Sequence, residues 1–196
     1  MKRYFLLSLL APFLATVAHA GSIQGKVSGV SGPSVVYVDA IPGKSFPAPE
    51  QHALIDQRNL SFNPSLTVVL VGATVDFQNS DSVQHNVFWP SVGGNKKEAH
   101  NLGTWPRGDK KSFKFTQAGV VPLLCNVHPE MSGYLVVSPT PYFAETDSAG
   151  TYKIDNVPDG KYNVTAWHQG AKQQTMAVTV AGAGAGAGKA DFALSQ

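Results

Sequence analysis

One cysteine, Cys125, stands in 196 residues, which excludes an internal disulfide and with it the small disulfide-stapled scaffolds. Charge is also scarce, at 14% of residues, and nearly balanced, with 15 Lys and Arg against 13 Asp and Glu. Taking away Lys2 and Arg3 of the N-terminal segment leaves 15 − 2 = 13 basic residues, a formal net charge near zero. Nucleic acid or an anionic membrane surface as main partner needs a basic excess, so neither is expected. Long apolar runs are missing beyond the first residues, and a span needs roughly 20 of them, so no membrane span is expected. A sustained 3.6-residue period is missing too, which excludes an α-helical fold. No nucleophile and base pair, no carboxylate pair at catalytic spacing and no open metal position stands out, so an enzyme is not expected.

The opening "MKRYFLLSLLAPFLATVAHA" puts Lys2 and Arg3 before an apolar stretch and ends in Ala18-His19-Ala20. That is a secretory leader, residues 1–20, with cleavage after Ala20 and a periplasmic or secreted destination. The remainder alternates β-branched and aromatic residues with polar ones, punctuated by Gly and Pro, so the fold class is all-β. "SIQGKVSG" and "SVVYVDAIPG" read as two strands within 21–44. A second block, 45–140, offers strands at "LSFNPSLTVVLVG", "TVDFQN", "HNVFW", "KSFKFT", "GVVPLLC" and "GYLVVS", with "PSVGGNKKEAHNLGTWPRGDK" as a surface loop holding at most one short strand. A third block, 141–196, alternates at Tyr152 and Ile154, at Tyr162, Val164 and Ala166, and at Met176, Val178 and Val180, the inward faces of sandwich strands. "AGAGAGAG", residues 181–188, reads as a flexible loop before a last strand "ADFALS".

The chemistry lies in "LLCNVHPEM". Cys125, His128 and Met131 sit between two strand-like runs, in a loop whose tightness gathers three donors. His85, where "NSDSVQ" runs into "HNVFW", offers a second imidazole. A thiolate and two imidazoles with a weak axial thioether are the ligand set of blue-copper electron-transfer centres. Zinc competes poorly, because a thioether is a weak zinc ligand and structural zinc sites hold four Cys or His donors. A single cysteine excludes the two bridging thiolates of a binuclear copper centre. His52, His100 and His168 lack partners at ligand spacing, so hydrogen-bonding or surface roles are expected, and Trp89 and Trp105 are read as core or loop anchors.

Over roughly 52–138 the chain resembles the cupredoxins, in the lead-in "LSFNPSLTVVLVGATVDFQNSD", in "HNVFW" and in "CNVHPEM" followed by "SGYLVVS". The two-and-two loop spacing with Pro129 is similar to the amicyanin-type, short-loop members. The resemblance implies a Greek-key β-sandwich with one type 1 copper ion, held by His85, Cys125 and His128 in the plane and Met131 on the axis. It also implies Asn86 as the residue joining the two ligand loops. "TDSAGTYKIDNVPDGKYNVTAWH" resembles the carboxypeptidase-regulatory-like, transthyretin-like sandwich, and "GSIQGKVSG" fits that family's opening strand. The expectation is a second small sandwich split in sequence, with the copper domain inserted between about 45 and 141; the alternative is that 21–44 extends the copper domain. The function implied is that of a monomeric one-electron carrier meeting redox proteins briefly, with an amine dehydrogenase and a c-type cytochrome as the partners the resemblance suggests. Copper transfer without redox turnover and a structural or adhesive module are the other classes left open.

Overall fold

The computed structural model describes residues 20–182 and 186–195, so the expected leader falls almost wholly outside it. The described chain opens with β1 (Ala20–Ser28) and β2 (Val35–Val38). Then come β3 (Ala53–Gln57), β4 (Phe62–Asn63), β5 (Leu66–Leu70), β6 (Thr74–Asn79) and β7 (His85–Trp89). A single 3-10 turn (Lys96–Glu98) precedes β8 (His100–Trp105), β9 (Lys110–Lys114), β10 (Gly119–Leu124) and β11 (Ser132–Ser138). The remaining strands are β12 (Phe143–Glu145), β13 (Thr151–Pro158), β14 (Gly160–Trp167), β15 (Gln174–Val180), β16 (Gly188–Lys189) and β17 (Phe192–Ala193). No α-helix occurs among the described residues.

The strands form two sandwiches. In the first, a sheet ordered β5-β11-β10-β7-β8 faces one ordered β4-β3-β6-β9. Its core holds Ile55, Phe62, Val75, Phe77, Val87, Trp89, Phe115, Val121, Leu123 and Leu135. The alternation of β6 produces this directly: Val75 and Phe77 point inward, while Thr74 and Gln78 stay at the rim. In the second, a sheet built from β13, β1 and β16, with β17 also paired to β1, faces one ordered β12-β2-β14-β15. Here Ile23, Val36, Val38, Ile154, Val164 and Phe192 meet.

Strands from both ends of the chain thus share the second sandwich. β1 runs antiparallel to β13, with Ile23 opposite Ile154, and β2 runs antiparallel to β14, with Val38 opposite Val164. At Gly25 a Cβ would run into the Ala190 carbonyl, so only glycine lets the C-terminal segment lie against β1.

Some expectations need correction. The surface stretch 90–110 does hold one strand, β8, a six-residue edge strand paired with β7 in which Leu102 and Trp105 supply the apolar residues. "LSFNPSLTVVLVG" splits into β4 and β5, since Pro64 has no N–H for a ladder. Met176 is exposed, not inward like Val178 and Val180, because the first half of the edge strand β15 runs past the cover of the facing sheet. Of the glycine-alanine run, residues 183–185 lie outside the described residues, and Gly188 already belongs to β16.

Candidate metal centre

β10 and β11 are antiparallel neighbours with Leu124 opposite Ser132, so residues 125–131 must make a tight excursion at the end of that ladder. β7 lies on the other side of β10, with Phe88 opposite Leu124, which brings the start of β7 beside Cys125. Register alone therefore sets His85 and the loop side by side.

The side chains converge. Nδ1 of His128 lies 3.1 Å from Nδ1 of His85 and 3.9 Å from Sγ of Cys125. The donor atoms of His85, Cys125 and His128 all fall within 4.8 Å of one another. Metal–nitrogen and metal–sulfur bonds of about 2.0 and 2.3 Å let one ion bridge donors up to about 4 Å apart, so the 3.1 and 3.9 Å separations from His128 fit a single ion. His85 and Cys125 are buried and His128 is half-buried, at the protein surface. Met131 is also buried, packs in the same core cluster as Cys125, and donates its N–H to the His128 carbonyl at 3.0 Å, closing the loop.

Asn86 joins the two ligand segments. Its N–H donates to Cys125 Sγ at 3.4 Å, and its Oδ1 accepts from the Asn126 N–H at 3.2 Å. Its Nδ2 donates to Asn101 Oδ1 and the Gly103 carbonyl, both at 2.8 Å, which ties the pair to β8. The other ring nitrogen of His85, Nε2, meets Oδ2 of Asp81 at 2.8 Å. Burial works against the Asp81 carboxylate, but bonds donated by Leu60 N–H, His85 and Asn59 N–H outweigh it and hold its carboxyl below the ordinary range. Asp81 has no signal in the sequence, because its role depends on which way the His85 ring faces.

The other described histidines stand elsewhere. His52 bonds Asp76 at 2.9 Å, and His168 meets Ser34 Oγ and the Pro33 carbonyl. His100 packs on Trp89 and Phe113.

Residues 50–138 match the family described as copper binding proteins, plastocyanin/azurin family. This part of the chain is a cupredoxin domain. Residues 118–188 match polysaccharide lyase family 4, domain II, a fibronectin-type β-domain, a match that spans β10 and β11 of the cupredoxin domain and most of the second sandwich. No curated protein matches the chain. Among solved structures, a reduced amicyanin mutant aligns at 26% identity over 46% of this chain and 85% of its own, with a TM-score of 0.42. A purple cupredoxin from Nitrosopumilus maritimus aligns at 30% identity over 44% of this chain and 99% of its own, at 0.40. A copper-containing nitrite reductase from Thermus scotoductus aligns at 24% identity over 51% of this chain and 25% of its own, at 0.42. The cupredoxin domain binds copper, and its His-Cys-His cluster has the donor chemistry that copper takes. No helix among the described residues is long and apolar enough to cross a membrane.

Proposed function

We propose that this chain is an exported, monomeric type 1 copper protein that carries single electrons, with His85, Cys125 and His128 as equatorial ligands and Met131 as the axial one. The observation that carries this reading is the convergence of two Nδ1 atoms and one thiol sulfur in a loop closed by Met131. Bound copper would supply a one-electron couple. The protein's part is to hold its donors still. Cys125 Sγ is fixed by the Asn86 N–H, and that bond withdraws charge from the thiolate and stabilises it in a buried place. His85 is braced from behind by Asp81. His128 is the one imidazole of the pair that reaches the surface, flanked by the exposed Val127, so it is the port for an electron. A small apolar contact of that kind suits a brief encounter with a redox protein. A c-type cytochrome or an amine dehydrogenase belongs to this proposal as partner, and export rests on residues 1–20. With Met131 as a fourth donor the set would be filled by the protein, which favours a carrier over an enzyme, since a catalytic metal keeps an open position.

The test is the visible spectrum of the copper-loaded protein. An intense thiolate-to-Cu(II) band is expected, and Cys125→Ser should abolish it and weaken copper binding strongly, because a hydroxyl is neither soft nor readily deprotonated. A band that survives this change sinks the ligand assignment, and a colourless protein that still binds Cu(I) tightly points to copper transfer instead.

A further inference from the structure

His85 is fully buried, and both of its ring nitrogens are engaged: Nδ1 faces His128, and Nε2 lies 2.8 Å from Asp81 Oδ2. A carboxylate only accepts, so the proton sits on Nε2 and the Nδ1 lone pair is left for a metal. The carboxylate itself has little freedom. Its Oδ1 accepts from the Asn59 N–H at 2.8 Å, and its Oδ2 accepts from the Leu60 N–H at 2.9 Å. Asn59 and Leu60 both adopt left-handed conformations, φ 55° and 54°, in the turn between β3 and β4. Successive N–H groups in such a turn make a concavity that takes an anion. From the other side, the Asp81 N–H donates to Oδ1 of the buried Asn79 at 2.9 Å, and Asn79 Nδ2 is anchored on the Val83 and Trp105 carbonyls.

We propose that Asp81 is a positioning residue for the copper site: seated in the Asn59–Leu60 turn, its carboxylate fixes the His85 ring and biases the site toward Cu(II). The inference rests on the ligand assignment proposed above. A partner carboxylate raises the donor strength of a ligating imidazole. Its negative charge, beside the buried His85 ring, favours the more positive ion. The ring is thereby anchored to the β3–β4 turn of the facing sheet, across the sandwich from its own strand.

Asp81→Asn keeps the shape and one acceptor and removes the charge. The expected result is a 10- to 100-fold loss of Cu(II) affinity relative to Cu(I), the usual range for such partners. Each tenfold loss raises the midpoint potential by about 59 mV for one electron. Asp81→Glu, which restores the charge, should recover part of that shift. A measurement on the unaltered protein is independent of folding in the variants: the Cu(I)-loaded form should show a slowly exchanging, strongly hydrogen-bonded His85 Nε2 proton by NMR. An absent proton overturns the proposal. So does an Asp81→Asn protein whose apo form melts lower but whose potential equals that of the unaltered chain, since Asp81 then only caps the turn. A thiolate-to-Cu(II) band that survives Cys125→Ser overturns the ligand assignment as well, whereas a blue protein with an unmoved potential overturns this inference alone.

Discussion

Met131 and Cys125 enter the same core cluster from one short loop, a placement that an axial donor and a core filler share. As the weak axial donor, a thioether favours Cu(I) more than an oxygen donor does. Met131→Gln is therefore expected to keep the copper and lower its potential, measured by voltammetry; an unchanged potential removes Met131 from the ligand set. Asn86 illustrates how much one side chain adds at this scale. Its amide satisfies partners in the Cys125 loop and in β8, so hydrogen bonds within the protein space the two segments.

At the scale of elements, the sheet carrying β6 and β9 is clipped at its outer face. Asp76 on β6 takes bonds from Lys110 Nζ and Ser112 Oγ on β9, each at 2.6 Å, and from His52 ahead of β3 at 2.9 Å. The Lys110 bond first, then Ser112, with His52 adding less, outweigh burial and hold the Asp76 carboxyl down to about 2 against an ordinary 3.8. A carboxyl lowered on folding stabilises the fold above its unfolded pKa of about 3.9, and that contribution is lost as pH falls through the folded value. Acid unfolding should accordingly steepen between about pH 4 and pH 2. Asp76→Asn is expected to lower stability at neutral pH and flatten that limb in denaturant titrations; an unchanged limb means the clip contributes nothing.

For the whole molecule, the decisive contact is the third apolar cluster. Leu66 and Val136 of the cupredoxin domain meet Val35 and Trp167 of the second sandwich, with Tyr134 against the Trp167 ring at 5.2 Å. The outer face of β5 and β11 is thus covered by the outer face of β2 and β14. A chain spanning 21–140 would leave β1 without β13 and β2 without β14, exposing unpaired edges that aggregate. It is expected to be less soluble than 45–140, while 45–140 itself should lose solubility against the full chain through the uncovered Leu66, Tyr134 and Val136. Equal solubility of the two shorter chains would mean that β1 and β2 hold without the C-terminal strands.

Alternation with period two, the punctuation by Gly and Pro and the spacing of Cys125, His128 and Met131 are local properties, and they determined the all-β class, most strands and the loop donors. The bounds of β8 were not legible because an edge strand faces solvent and carries polar residues, and Met176 misled because alternation says which side a residue faces but not whether anything covers that side. Only the tertiary structure decided what depends on register between distant segments. That His85 reaches Cys125 follows from the pairing of Phe88 with Leu124, and that Asp81 stands behind His85 follows from a turn more than 20 residues upstream presenting two N–H groups to one carboxylate. Such contacts leave no period in the sequence, because hydrogen-bond geometry is set by where strands lie and not by how far apart they are along the chain.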